Sequence, residues 1–222
     1  MTLQDLIRRF RVLANDKAAP YFWEDAEVKD WLNDAQAQAA VRGRLLREDA
    51  DPAVCRIALQ AGQSTYALHE AVFELISVRL VLASGDRPRP VELVSREWLD
   101  AHLPDWRECV DPVRFAVQDD TRLRLVGGFE PGDVLALECY RLPLKAMTEL
   151  TDKPELHQAH HEHLILWPLH KGFGIPDTEA FDPKRSDSAE AGFTAYFGPM
   201  PDSDLRRMTR QDVVHHNVAI LA

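Results

Sequence analysis

Four histidines fall within seven residues, His157-Gln-Ala-His160-His161-Glu-His163, and His170 follows a little further on. His157 and His161 are four positions apart. On a helix that spacing puts two imidazoles on one face, as two zinc ligands of a metal-dependent hydrolase require. The same chemistry needs a carboxylate directly after the first histidine to act as base. Gln158 stands there instead. In the frame that starts at His161 the carboxylate is present as Glu162, but the position four residues on is Ile165. The motif is broken in both frames. A structural metal held by His157, His161 and a distant carboxylate stays open beside the plainer reading, hydrogen-bonded or solvated helix side chains. His215 and His216 are read in the same plain way.

No other constellation is stronger. Gly127-Gly128 lacks the Gly-Lys-Ser continuation of a phosphate cradle. Ser64, Ser77 and Ser95 have no nucleophile-elbow context. Asp119-Asp120 precedes Thr121 where a hairpin should bend, a place that favours aspartate for its turn chemistry rather than for acid–base work. Cys55, Cys109 and Cys139 are odd in number and without metal or redox spacing, so they read as free thiols, with Cys55 and Cys139 inside strand-like runs. Of the five tryptophans, Trp31 and Trp167 lie on apolar helix faces and read as core. No cofactor is implied, and the enzyme reading is the weaker one.

The elements that carry these residues divide the chain. Thr2 to Asp5 is a capping-box start, and Leu3, Leu6, Ile7, Phe10 and Leu13 form a helical stripe. Asn15 to Pro20 ends it, and a second helix from Asp25 carries Val28, Trp31, Leu32, Ala35, Ala39 and Leu46 on one side. Beyond Asp51-Pro52 the period changes to strands. The runs expected are 54–59, 64–67, 75–83, 91–94, 113–117, 122–126 and 134–140, with a short helix capped by Ser95 between the fourth and fifth. Helical periodicity returns over 154–171 and again from Asp182-Pro183 to Gly198, the last helix carrying Ala189, Phe193, Tyr196 and Phe197. The expected fold is α+β: a helical bundle built from both ends of the chain (1–50 and 147–198), an inserted small antiparallel β-sandwich or barrel (51–146), and an extended C-terminal arm (199–222).

Composition removes whole classes of function. The 222 residues hold 36 acidic against 26 basic side chains, a formal charge of -10, whereas a sequence reader of nucleic acid is normally basic. The longest apolar run, 164–169, is far short of the ~20 residues of a membrane span. The start alternates charged and apolar residues and has no signal-peptide core.

Several segments, in order, resemble the head-to-tail adaptor (connector) proteins of tailed bacteriophages. The first is Trp23-Glu-Asp-Ala-Glu-Val-Lys-Asp-Trp-Leu-Asn-Asp-Ala-Gln, similar to that family's second helix. Gly62-Gln-Ser-Thr-Tyr-Ala-Leu resembles its Gly-x-x-x-Tyr-x-Leu lead into a strand, and Tyr140-Arg-Leu-Pro-Leu its close of the β unit. Thr151-Asp-Lys-Pro-Glu-Leu-His-Gln-Ala-His-His, Phe181-Asp-Pro-Lys-Arg and Phe193-Thr-Ala-Tyr-Phe complete the series, which covers residues 2–198. The histidine-rich stretch departs from the family's more ordinary amphipathic helix, so no role comes over to it.

The resemblance implies a structural virion protein, without catalytic activity, located in the neck and made in the host cytoplasm. It implies a homo-oligomeric ring, commonly of twelve copies, beneath the portal, which extends the DNA channel without sequence-specific binding and offers a platform to tail tube, nozzle or tail fibre proteins. Such families commonly send the C-terminal segment to the portal. In this chain Arg206, Arg207 and Arg210 would pair with acidic portal groups, while Val213, Val214, Ile220 and Leu221 fill apolar grooves. The alternatives are a tail-tube or nozzle component, a histidine-based metal-dependent hydrolase, and a monomeric binding module.

Overall fold

A computed structural model describes residues 1–176 and 178–201. The proposed portal-docking residues Arg206, Arg207, Arg210, Val213, Val214, Ile220 and Leu221 lie outside the described residues, as do His215 and His216. The chain is mixed α+β and folds as two compact units, one of Met1–Asp49, Glu70–Glu74 and Cys139–Met200, the other of Ala50–His69 and Leu75–Glu138.

In the first unit, helix α1 (Leu3–Ala14) opens on the expected capping box: the Asp5 amide donates to Thr2 Oγ1, and the Thr2 amide to Asp5 Oδ2. Asn15, in the left-handed region at φ 62°, closes it. Helix α2 (Asp25–Gly43) turns a small-residue face, Ala35, Ala39 and Ala40, towards Trp167, Phe193 and Phe197. Short side chains opposite large rings are what close packing between helices requires. Leu46 lies beyond the end of this helix, because the chain leaves it through left-handed Arg44.

The expected helix over 154–171 is broken. A 3-10 turn (Gln158–His160) leads into α5 (His161–Leu164), and α6 (Leu166–Phe173) starts after Ile165. Pro168 has no N–H to give the Leu164 carbonyl, so the helical ladder cannot run through this point. Helix α7 (Pro183–Phe197) has Asp182 as N-cap and Pro183 in its first turn, and Gly198 at φ 98° stops it. One core joins Leu3, Leu6, Ile7 and Phe10 of α1 to Val28 and Leu32 of α2, to Leu169 and Phe173 of α6 and to Ala189 of α7. Helices from the two ends of the chain therefore share one interior. Trp167 is buried, and Trp31 packs against the core only partly buried; Trp23 and Trp106, left unassigned by periodicity, are buried.

The strands form a curled, half-barrel sheet in the order β1-β8-β4-β5-β6-β7-β3. They are β1 (Arg47–Glu48), β2 (Arg56–Ala58), β3 (Thr65–Ala67), β4 (Val72–Val81), β5 (Arg89–Leu93), β6 (Phe115–Gln118), β7 (Arg122–Val126) and β8 (Val134–Arg141), with β2 also paired to β8. The wholly antiparallel expectation fails between β5 and β6, which run parallel, Glu92 opposite Phe115, and at an isolated parallel bridge between Pro112 and Gly128. Parallel neighbours need a crossover rather than a tight turn. Here it contains α4 (Arg96–His102), capped by Ser95 Oγ accepting from the Trp98 amide, and a 3-10 turn, Trp106–Glu108. Val54 and Cys55, expected in a strand, form instead the short helix α3 (Pro52–Cys55), with Asp51 accepting from the Ala53 amide and proline at its start.

Gly127 carries the turn after β7. Its φ is +113°, and a Cβ there would sit 2.4 Å from the Asp111 carbonyl oxygen, a backbone atom that cannot step aside. Gly127→Ala should cost roughly 2–5 kcal/mol in urea unfolding, from strain and overpacking together. A loss below 1 kcal/mol would show that the turn relaxes.

Candidate functional site

The histidines do not assemble into the metal site their spacing suggested. His157 precedes the helix: it is the N-cap of the 3-10 turn, and its Nδ1 accepts from the Ala159 amide at 3.2 Å. His161 is buried at 3% exposure, with Nε2 2.9 Å from the Leu156 carbonyl and Nδ1 3.0 Å from the Met1 amino group. The carbonyl can only accept, so Nε2 carries the proton and Nδ1 accepts from the amine. The expected shared helical face is therefore absent, because the helix begins only at His161. His170 sits elsewhere, with Nδ1 3.0 Å from Ser186 Oγ. Among the described residues no three of His, Cys, Asp or Glu are grouped to hold a metal ion.

What the imidazoles do form is an aromatic cluster with the end of α7. His163 stacks on Tyr196 with ring centroids 3.5 Å apart and planes 14° from parallel. His160 Nδ1 lies 3.2 Å from the Tyr196 hydroxyl, and its ring meets Phe197 at 6.1 Å. Burial lowers the pKa of His160, and the neighbouring His157 and His163 add to the effect. Burial also lowers that of His161, outweighing the Leu156 carbonyl, which favours the charged ring. Both rings are thus held neutral more firmly in the folded chain than in the unfolded one.

That difference sets a pH dependence. A depressed folded pKa means the unfolded chain takes up more protons, so stability is fully present above the ordinary histidine value near ~6.5 and is lost as pH falls below it. The unfolding midpoint should be higher at pH 7.5 than at pH 5.5, and His161→Gln should flatten the slope across that interval. Equal slopes in the two proteins would remove His161 from the linkage.

The same helix end is the root from which residues 199–222 continue. Arg42 of α2 holds it: Nη1 donates to Thr194 Oγ1 at 2.9 Å, and the guanidinium lies 5.1 Å from the Trp167 ring and 5.2 Å from that of Phe193. Phe193 is fully buried, and Phe197 packs against it with tilted rings 4.6 Å apart. The last turn of α7 is therefore tied into the core of its unit. Hydrophobic spacing pointed to Phe193 and Phe197, whereas nothing in the spacing pointed to Arg42.

Two buried arginines of the first unit also escape periodicity. Arg11 reaches Asp16 Oδ2 and Asp25 Oδ1, each at 2.5 Å, donates to the Trp23 carbonyl at 2.9 Å, and lies 3.6 Å from the Tyr21 ring. Arg141 bridges Glu48 and Glu155 at 3.1 and 2.6 Å. Both networks join separate segments of the unit and leave no unpaired charge to do chemistry.

A family model, that of the SU10 adaptor protein, matches residues 1–216. The chain belongs to this family of bacteriophage adaptor proteins. No curated protein matches it. The match covers the seats of Arg42, Phe193 and the histidine cluster, and runs beyond residue 201 to residue 216. No helix among the described residues is long and apolar enough to cross a membrane.

Proposed function

We propose that the protein is a structural component of the virion neck, a head-to-tail adaptor that forms a ring beneath the portal, extends the DNA channel and presents a platform to the tail. It catalyses no reaction. The observation that carries this reading is the family match, because it spans residues 1–216 and so takes in both folded units and the proposed arm as far as His216. The division into 1–50, 51–146, 147–198 and 199–222 is retained as the working organisation, with the helical portions as scaffold and 199–222 as the docking arm. The buried seat of Phe193 and Phe197 gives such an arm a fixed point of departure. Arg206, Arg207 and Arg210 pair with acidic portal groups, and Val213, Val214, Ile220 and Leu221 fill apolar grooves on the portal. A segment that orders on docking covers a large surface with few residues, at an entropic cost the contacts must exceed.

The surplus of acidic side chains suits a conduit along which DNA slides without being gripped. Ring closure is templated by the portal, which keeps free subunits from closing rings unproductively. Deletion of residues 202–222 tests the reading. In sedimentation and negative-stain imaging with the portal protein of the same phage, the full chain should form a ring on the portal, and the shortened chain should leave it bare while keeping its own thermal unfolding midpoint. Unchanged docking of the shortened chain would end the role given to the arm. A full chain that assembles on no portal would end the adaptor-ring reading.

A further inference from the structure

The hairpin joining β4 and β5 concentrates positive charge at an exposed tip of an otherwise acidic chain. Arg79, Arg87 and Arg89 are all exposed and, with Pro88 and Pro90, line an open groove of about 530 Å³. None of the three has an acidic partner among the described residues. Arg96 and Arg107 of the same unit are paired, with Asp119 at 2.7 Å and Asp100 at 2.8 Å, while Arg114 and Arg122 are exposed without an acidic partner among the described residues but do not line this groove. The one carboxylate in the loop, Asp86, is taken up by Ser84 Oγ at 2.8 Å.

The backbone of this tip is poorly suited to adding another strand. Pro88 and Pro90 have no N–H to donate, which blunts a sheet edge. What the tip offers is guanidinium groups, planar donors matched to carboxylate or phosphate. A duplex sliding past would meet three such contacts on a chain of net charge -10, a grip that counterion release weakens at physiological salt. Carboxylates on a neighbouring copy would instead be held in place by the ring itself. Identical copies present them: Asp30 and Asp34, four apart on α2, are exposed with no basic partner among the described residues. A ring closed head to tail needs two different, complementary surfaces on each subunit.

We infer that the β4–β5 tip is a contact between copies, in which Arg79, Arg87 and Arg89 of one chain pair with carboxylates of the next. The inference rests on the ring reading above. Two variants test it on the portal of the same phage. Arg79→Gln/Arg87→Gln/Arg89→Gln should keep the wild-type unfolding midpoint, because the tip is exposed. It should need a roughly 10- to 100-fold higher subunit concentration for half-assembly. It should also lose most of the salt sensitivity of the wild-type ring between 0.1 and 0.5 M NaCl. Arg87→Lys/Arg89→Lys should keep assembly, and a zero-length carbodiimide should then join its new amines to carboxylates of a neighbouring copy. A triple variant that assembles like wild type with the same salt response overturns the inference and leaves the ring reading standing. So do cross-links that reach only the portal, or normal rings that lose only their hold on duplex DNA. A wild-type chain that forms no ring removes both.

Discussion

Arg141→Met should destabilise the protein by about 3–5 kcal/mol, because it strands two carboxylates at a site arranged around one guanidinium. Arg141 is 8% exposed at the end of β8. Its Nε donates to Glu48 Oε2 at 3.1 Å, its Nη2 to Glu155 Oε1 at 2.6 Å, and its Nη1 to the Leu142 carbonyl at 3.1 Å. Burial disfavours the charge, but Glu155 and then Glu48 outweigh it and hold the pKa above the ordinary arginine value. Glu155 is itself fixed, its Oε2 accepting from the Leu144 amide at 2.8 Å. The network therefore ties β1, the end of β8 and the segment before α5 into one cluster. The attraction is strong because the guanidinium itself is buried and meets Glu48 and Glu155 at its edge, so removing it leaves both carboxylates without the cation they face. Adding Glu48→Met and Glu155→Gln to Arg141→Met should recover much of the stability, since removing a whole buried charge cluster is far milder than breaking it. Urea unfolding of the three proteins measures both effects. A single variant within 1 kcal/mol of wild type would mean that water reaches the cluster.

The contrast between what patterning revealed and what it hid has a common cause. Strand β7 was readable to the residue because Arg122-Leu-Arg-Leu-Val alternates wet and packed positions and two glycines follow. Helix α1 and the Ser95 cap were readable because their signals lie within four residues of each other. The break between α5 and α6 was legible in principle from Pro168, but a continuous apolar run over 164–169 masked it. Asp51-Pro52 likewise marks a helix start, and the strand-like residues after it hide a helix only four residues long. Strand β1 is only two residues long and exists because Arg47 and Glu48 meet Tyr140 and Cys139, a partnership no local window contains. No local window marks Arg141 as the centre of a network, since its partners lie 93 and 14 residues away. The histidine spacing misled for the opposite reason: it was a local signal whose premise, a helix beginning before His157, did not hold. The ordered family motifs carried the functional reading because they sample the whole chain rather than one site.

Phe193→Ala should be the most damaging apolar truncation near the arm, with a loss of about 3–5 kcal/mol from the cavity and the missing transfer energy. The ring is fully buried among Ala35, Ala39, Leu156 and Leu164. It also meets Trp167 at 5.1 Å and Phe197 at 4.6 Å, aromatic pairs worth about 0.5–1.5 kcal/mol each beyond their area. Alanines already line α2 opposite, and a helix backbone cannot close in further to fill the space, so the cavity should persist. Phe193→Leu keeps most of the volume and should cost less than half as much. Denaturant unfolding of both variants, with unchanged slopes, measures the difference. The consequence for docking is separable. Arg42 rests on the same ring and bonds Thr194, so emptying the site loosens the last turn from which the arm leaves. At a temperature where Phe193→Ala remains folded, its portal affinity should fall while Phe193→Leu stays near wild type. Equal affinities would show that the docking proposed for residues 199–222 does not depend on how the end of α7 is held.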